Sequence, residues 1–278
     1  MQAYFGEGAM QQAEDFRSIC DQLNDLLAEL EDRDFARTTA FKGWSIDEIL
    51  RHLHVWNRAA LASLQDPDGF GDFMKSVAAS RGLNFRNFES EQTGNLSGRA
   101  MLAAWREFYP ELSDAFRAVN PKQRVAWAGP SMSARSSITA RLMETWSHAQ
   151  AIYDELGADR SDSDAIANIV VLGLNTYGWT FNNRSEEVPQ PMPQLVMTMP
   201  SGVVRTFGEG AGDGAAGLER IEGSATEFCQ VVTQCRNIGD TALTVTGPNA
   251  TRWMDVAQCF AGPPQDPPPP GARAKKSA

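Results

Sequence analysis

Apolar residues recur at helical spacing through the first two-thirds of the chain, and that spacing stops at Pro189. The change of rhythm divides the chain into a helical part and a part of another kind. In residues 9–32, Phe16, Ile19, Cys20, Leu23, Leu26, Leu27 and Leu30 share one helical face. Ser45 and Glu48 make an S-x-x-E capping box. A second helix is therefore expected from about residue 46 to about Leu64, where Asp66-Pro67-Asp68-Gly69 breaks it. Residues 69–95 are expected to hold a short helix over 71–79 and then a polar, arginine-bearing loop. Residues 97–119 read as another helix, with a kink expected at Pro110. Residues 134–156 read as a strong helix ended by Gly157, and 162–182 as one more, rich in aromatics.

Beyond the proline-rich stretch at 189–193 the pattern is that of short strands. LVMTM and VVRTF flank Pro200-Ser201-Gly202 as a hairpin, and LERIEG gives a third strand. Ser224 and Glu227 look like a second capping box, opening a helix over 225–235. ALTVTG is a strand and ATRWMDVAQCFA a last helix. The expected fold class is thus α followed by α+β: a helical bundle over 1–186 and a small α+β domain over 192–262. The proline-rich tail, 263–278, has no core-forming residues and is expected to be disordered. Its basic residues Arg273, Lys275 and Lys276 read as a solubilising end.

Composition removes several function classes. The net charge of −10 repels polyanions, so nucleic acid is not an expected partner. No apolar run reaches the ~20 residues that cross a bilayer, and the first residues have neither the basic nor the apolar region of a secretory signal. Cys20, Cys229, Cys235 and Cys259 form no CxxC pair, and read as reduced thiols of a cytoplasmic protein. The chain has only three histidines, His52, His54 and His148. Glu144 and His148 stand at i and i+4, which puts both side chains on one helix face about 5–6 Å apart. Two ligands for one metal ion can come from a helix in this way, although such a pair is also common as a solvated couple. His52 and His54 lie on a different helix and point to roughly opposite faces, so one of them can complete the set. Two histidines and a glutamate leave a coordination position open, as in catalytic zinc sites. Nickel, iron(II) and manganese are compatible with the same donors.

The stretch Gly43-Trp44-Ser45-Ile46 through Arg51-His52-Leu53 resembles the "GW(S/T)…HL" motif of the DinB/YfiT superfamily. Arg141 to His148 resembles its E-x-x-x-H helix, and the Trp between Glu144 and His148 resembles the mycothiol-dependent maleylpyruvate isomerase branch. The resemblance covers about residues 10–184 and implies a DinB-like four-helix bundle with His52, Glu144 and His148 as metal ligands. The second part is similar to that branch's sterol-carrier-like α+β domain, on Glu222 to Cys229 and Gly247 to Ala250, and Trp253 to Gly262 looks like a metal-binding subgroup of it. The resemblance implies a divalent metal, expected to be zinc, and mycothiol or another low-molecular-weight thiol as cofactors. It also implies an isomerase or S-transferase acting on a small organic acid. A metal-dependent hydrolase or hydratase without a thiol, and a non-catalytic ligand-binding protein with a structural metal, are the alternatives. An anionic substrate needs a cationic clamp. Arg81, Arg86 and Arg135, which flank the metal helices together with Arg141, are substrate-binding candidates. Arg236 is the catalytic candidate, because an arginine occurs near this position in the branch. The partner class is a small molecule, and the oligomeric state is left open.

Overall fold

The computed structural model describes residues 10–80, 85–208 and 218–277. They form two compact units, one ending at Glu155 and the other starting at Leu156.

The first unit is built on four long helices: α1 (Gln11–Ala28), α2 (Ile46–Gln65), α5 (Gly98–Arg117) and α6 (Ala134–Leu156). Two shorter helices, α3 (Pro67–Ser80) and α4 (Phe85–Gln92), lie between α2 and α5, and a two-residue hairpin, β1 (Arg124–Val125) with β2 (Met132–Ser133), precedes α6. The capping box at α2 forms as expected: Ser45 Oγ accepts the Glu48 amide at 3.1 Å and Glu48 Oε2 accepts the Ser45 amide at 2.8 Å. Phe16, Leu23 and Leu27 of α1, Ile49, Leu50 and Leu53 of α2, and Met101, Trp105 and Phe116 of α5 are sealed from solvent. Each such side chain stabilises the fold by about 1.5–3 kcal/mol through burial. α6 is buried on most of its circumference, polar residues included, and so is the interior helix of the bundle. It ends at Gly157, whose φ of 65° is the left-handed conformation of a helix C-cap. α5 runs unbroken through Pro110.

The region after α3 differs from expectation. The arginine-bearing loop is a helix, α4, because Phe85, Phe88 and Glu89 fall at i, i+3 and i+4 and are drawn inward together.

The second unit contains a four-stranded sheet in the order β4-β3-β5-β6, from β3 (Gln194–Thr198), β4 (Val204–Phe207), β5 (Arg220–Ser224) and β6 (Thr244–Thr246). β3 pairs antiparallel with β4, parallel with β5, and β5 antiparallel with β6. Four helices belong to this unit: α7 (Ala167–Asn175), α8 (Tyr177–Asn182), α9 (Ala225–Val232) and α10 (Pro248–Val256).

The boundary between units therefore falls at Glu155/Leu156, not near residue 186. The physical reason is packing: α7 lies so close to α9 that a Cβ on Gly173 would meet Phe228 at 3.1 Å, and Tyr177 packs edge-on to Trp253 at 5.0 Å. The single helix expected over 162–182 is broken at Thr176, whose hydroxyl donates to the Leu172 carbonyl at 2.8 Å. The second capping box does not form. The Ser224 side chain makes no cap bond, and Glu227 accepts the Ala242 amide at 3.1 Å instead. α9 and α10 both stop earlier than their apolar patterns suggest.

The proline-rich tail makes polar contacts as far as Lys275, which pairs with Asp159. Arg184 pairs with Asp266 at 2.9 Å, Asn237 donates to the Pro268 carbonyl at 2.9 Å, and the Gln265 amide donates to Gln258 at 2.9 Å. Proline carbonyls need no apolar side chain to act as acceptors, so a hydropathy argument misses them. Among the described residues, no helix is long and apolar enough to cross a membrane.

Candidate metal centre

His52 comes from α2, and Glu144 and His148 from α6. One donor atom from each lies within 4.8 Å of the others. Donors around one zinc ion stand about 3.4 Å apart, since each bond is about 2.1 Å in tetrahedral geometry. Small side-chain rotations therefore bring all three onto one ion. The rings of His52 and His148 are 4.9 Å apart between centroids, and His148 Nε2 lies 3.3 Å from Glu144 Oε2. His148 Nδ1 is buried with no hydrogen-bond partner. A buried polar atom left bare is costly, and this one sits on a ring already turned toward a carboxylate.

The ring of His52 is fixed from behind. Its Nδ1 is 2.7 Å from Oε1 of Glu89, which is 1% exposed. The Trp56 indole N–H donates to the same oxygen at 3.2 Å. A carboxylate on Nδ1 sets that nitrogen as the donor and leaves Nε2 to act as a ligand, which is the arrangement usual behind metal-bound histidines. Glu89 is the residue of this cluster that the sequence reading missed. The signal was its helical phase with Phe85 and Phe88.

The electrostatics suit a cation. Burial works to raise the Glu144 carboxyl, but the hydrogen bond to His148 and the charges of His148, Arg141 and His52 outweigh it. Its pKa is held at about 2. Burial lowers the pKa of His148, against the pull of Glu144. Arg141 is 1% exposed; its Nε donates to Asn57 Oδ1 at 3.0 Å, and burial pushes its pKa down while Glu144 opposes this. Glu89 and Glu144 against Arg141 leave a formal negative charge at the site. On the other side, Lys42 and Gly43 both adopt left-handed backbone, with φ 52° and 68°. This tight turn brings Phe41 edge-on to His148 at 4.8 Å and stacks Trp44 over it at 6.0 Å.

His54 is no part of this cluster. It is 7% exposed and packs edge-on against Phe108 at 5.4 Å.

Two proteins of Mycobacterium tuberculosis, uncharacterized protein Rv0036c of strain H37Rv and uncharacterized protein MT0041 of strain CDC 1551, are each 36% identical to this chain over 253 residues. The match spans 90% of this chain and 95% of theirs. Residues 16–153, which carry all three donors and Glu89, match the family model described as the mycothiol maleylpyruvate isomerase N-terminal domain. The chain belongs to this family. A crystal structure of the mycothiol-dependent maleylpyruvate isomerase shares its fold, with a TM-score of 0.53 and 16% identity over 85% of this chain and 92% of that one. The expected architecture of a helical domain followed by an α+β domain is therefore the observed one.

Of the arginines expected to clamp a substrate, Arg86 and Arg135 are described in the same unit as the cluster. Arg86 Nη1 donates to both carboxylate oxygens of Glu48, at 3.1 and 3.3 Å. Arg135 lies nine residues before Glu144 on α6, about 13 Å along the helix axis at 1.5 Å per residue. Arg81 lies outside the described residues. Arg236 belongs to the second unit, four residues beyond the last helical residue of α9, and donates to the Cys235 carbonyl at 2.9 Å.

Proposed function

We propose that this chain is a divalent-metal-dependent enzyme that uses a low-molecular-weight thiol, of the isomerase or S-transferase type, acting on a small organic electrophile. The observation that carries this reading is the convergence of His52, Glu144 and His148, with Glu89 behind His52, inside a domain of the mycothiol maleylpyruvate isomerase family. The donor set suits zinc, with three protein ligands and one open position. A divalent ion held by these three residues would supply Lewis acidity that lowers the pKa of a thiol near neutral pH.

The chain's own residues do the rest. Glu89 holds the His52 ring in one orientation through Nδ1. Glu144 stays ionised because His148 and Arg141 face it, so it is a ligand across the physiological range. Phe41 and Trp44 cover His148 and limit the water around the reacting groups. Arg141 is sealed in the bundle, so its part is to balance charge and not to touch a substrate.

The test is an activity screen of zinc-loaded protein with mycothiol, with glutathione and with no thiol, each repeated after a chelator. Turnover that needs both metal and thiol is expected. Metal-dependent turnover that is equal without any thiol would contradict the thiol-dependent reading.

A further inference from the structure

We propose that the compound brought to this centre carries a flat aromatic body, recognised by a wall of half-buried rings beginning at the metal donors. The proposal rests on the reading of His52, Glu144 and His148 as a metal site. Phe41 and Trp44 pack against the histidines. Trp56, one helical turn beyond His52, also neighbours its ring, with centroids 6.2 Å apart. From Trp56 the rings continue: Phe73 at 5.7 Å, Trp127 at 5.7 Å, and Phe88 at 6.0 Å from Phe73. All six side chains are only partly buried. The aromatic residues of the bundle core are different: Phe16, Trp105, Phe116 and Trp146 are 0% exposed. A contiguous run of partly exposed rings is unlike a core, and such patches mark binding sites.

Two further observations select the ligand's chemistry. The Trp56 indole N–H is already used by Glu89, so this residue offers its ring and not its donor. Among the described residues, the cations of α2, α4, α6 and the turn before α2 that the sequence sets beside the donors and rings have partners of their own. Arg51 is paired with Asp47 at 3.0 Å and with the Leu96 carbonyl at 3.0 Å, Arg86 with Glu48, and Arg141 with Asn57. Lys42 holds its ammonium over the Phe41 ring, 5.3 Å from the centroid. A small aliphatic dicarboxylate needs a fixed cationic fork, whereas the described residues here are a run of rings. Those suit stacking and edge-to-face packing.

The experiment uses the zinc-loaded full chain with two probes, neutral fluorescent N-phenyl-1-naphthylamine and maleate. The naphthylamine is expected to bind at one per chain. Trp56→Ala and Trp127→Ala should each weaken it at least fivefold with zinc content unchanged, and millimolar maleate should not displace it. Trp127 lies in the loop between β1 and β2, so its variant is informative even if Trp56→Ala fails to fold. Replacing zinc with cobalt(II) should quench the bound probe, because the wall begins at the donors. Wild-type affinity in both variants, or displacement by maleate, would overturn the proposal. Zinc content, measured on the same samples, reports separately on the metal reading: protein that takes zinc but not the naphthylamine refutes the aromatic wall alone, and protein that takes no zinc refutes the metal centre.

Discussion

His52 and His54 stand two residues apart on α2, and the regions around them have little in common. Around His54 the bundle offers a Phe108 edge and no hydrogen-bond partner for Nδ1. Burial, helped by the positive charge of Arg58, lowers its pKa to about 4, so near neutral pH the ring is an uncharged packing block. Around His52, Glu89 takes Nδ1 from behind while His148 and Glu144 stand in front. Burial alone makes a histidine inert. A carboxylate behind it and further donors ahead of it are the surroundings a metal ligand needs.

The comparison can be broken first at its largest expected effect. His148→Ala should weaken zinc binding at least a hundredfold in a chelator competition, and His54→Ala by less than threefold. Equal losses would mean that the two regions do not differ as described. Glu89→Gln should cost about 10–100-fold in zinc affinity, the usual consequence of losing the carboxylate behind a ligand; an unchanged affinity would show that Glu89 only fills space.

A third outcome concerns stability and pH. The folded pKa of His54 lies below its ordinary 6.5, so between pH 6.5 and about 4 the unfolded chain binds a proton that the folded chain refuses. Stability is therefore complete above pH 6.5 and falls as pH drops toward 4, by up to about 3 kcal/mol. His148 shifts in the same direction, so the useful quantity is the difference between wild type and His54→Leu in urea unfolding at pH 7 and pH 4.5. The variant should lose less stability on acidification; identical losses would rule out His54 as the source. The smallest effect belongs to Arg86→Gln. Its ion pair with Glu48 is part-exposed, with side chains 41% and 25% accessible. Loss of the pair should cost under about 1 kcal/mol in the same urea assay and leave zinc affinity unchanged.

Glu144, His148 and the helices of the bundle were legible in the sequence because each rests on a local rule, whereas His52 was chosen over His54 only by the family resemblance. Glu144 and His148 obey the i,i+4 spacing, and Ser45 with Glu48 makes a cap whose two bonds need only neighbouring residues. What was not legible depends on partners far along the chain. Glu89 is 37 residues from His52, and only the fold says that its carboxylate reaches that ring. Ser224 and Glu227 have the same pattern as the first capping box, yet Glu227 is claimed by the Ala242 amide, 15 residues away. The unit boundary was misplaced because helical periodicity does not say which neighbour a helix packs on. α7 and α8 have the rhythm of the bundle and the contacts of the sheet unit. The arginines follow the same logic, since proximity in sequence to the donor helices did not tell that Arg86 would be taken by Glu48.

The central claim is that His52, Glu144 and His148 hold one divalent ion, and elemental analysis of the purified full chain tests it most directly. About one equivalent of metal per chain is expected, removed by a chelator and restored by zinc. A content near zero that added zinc cannot raise would contradict it.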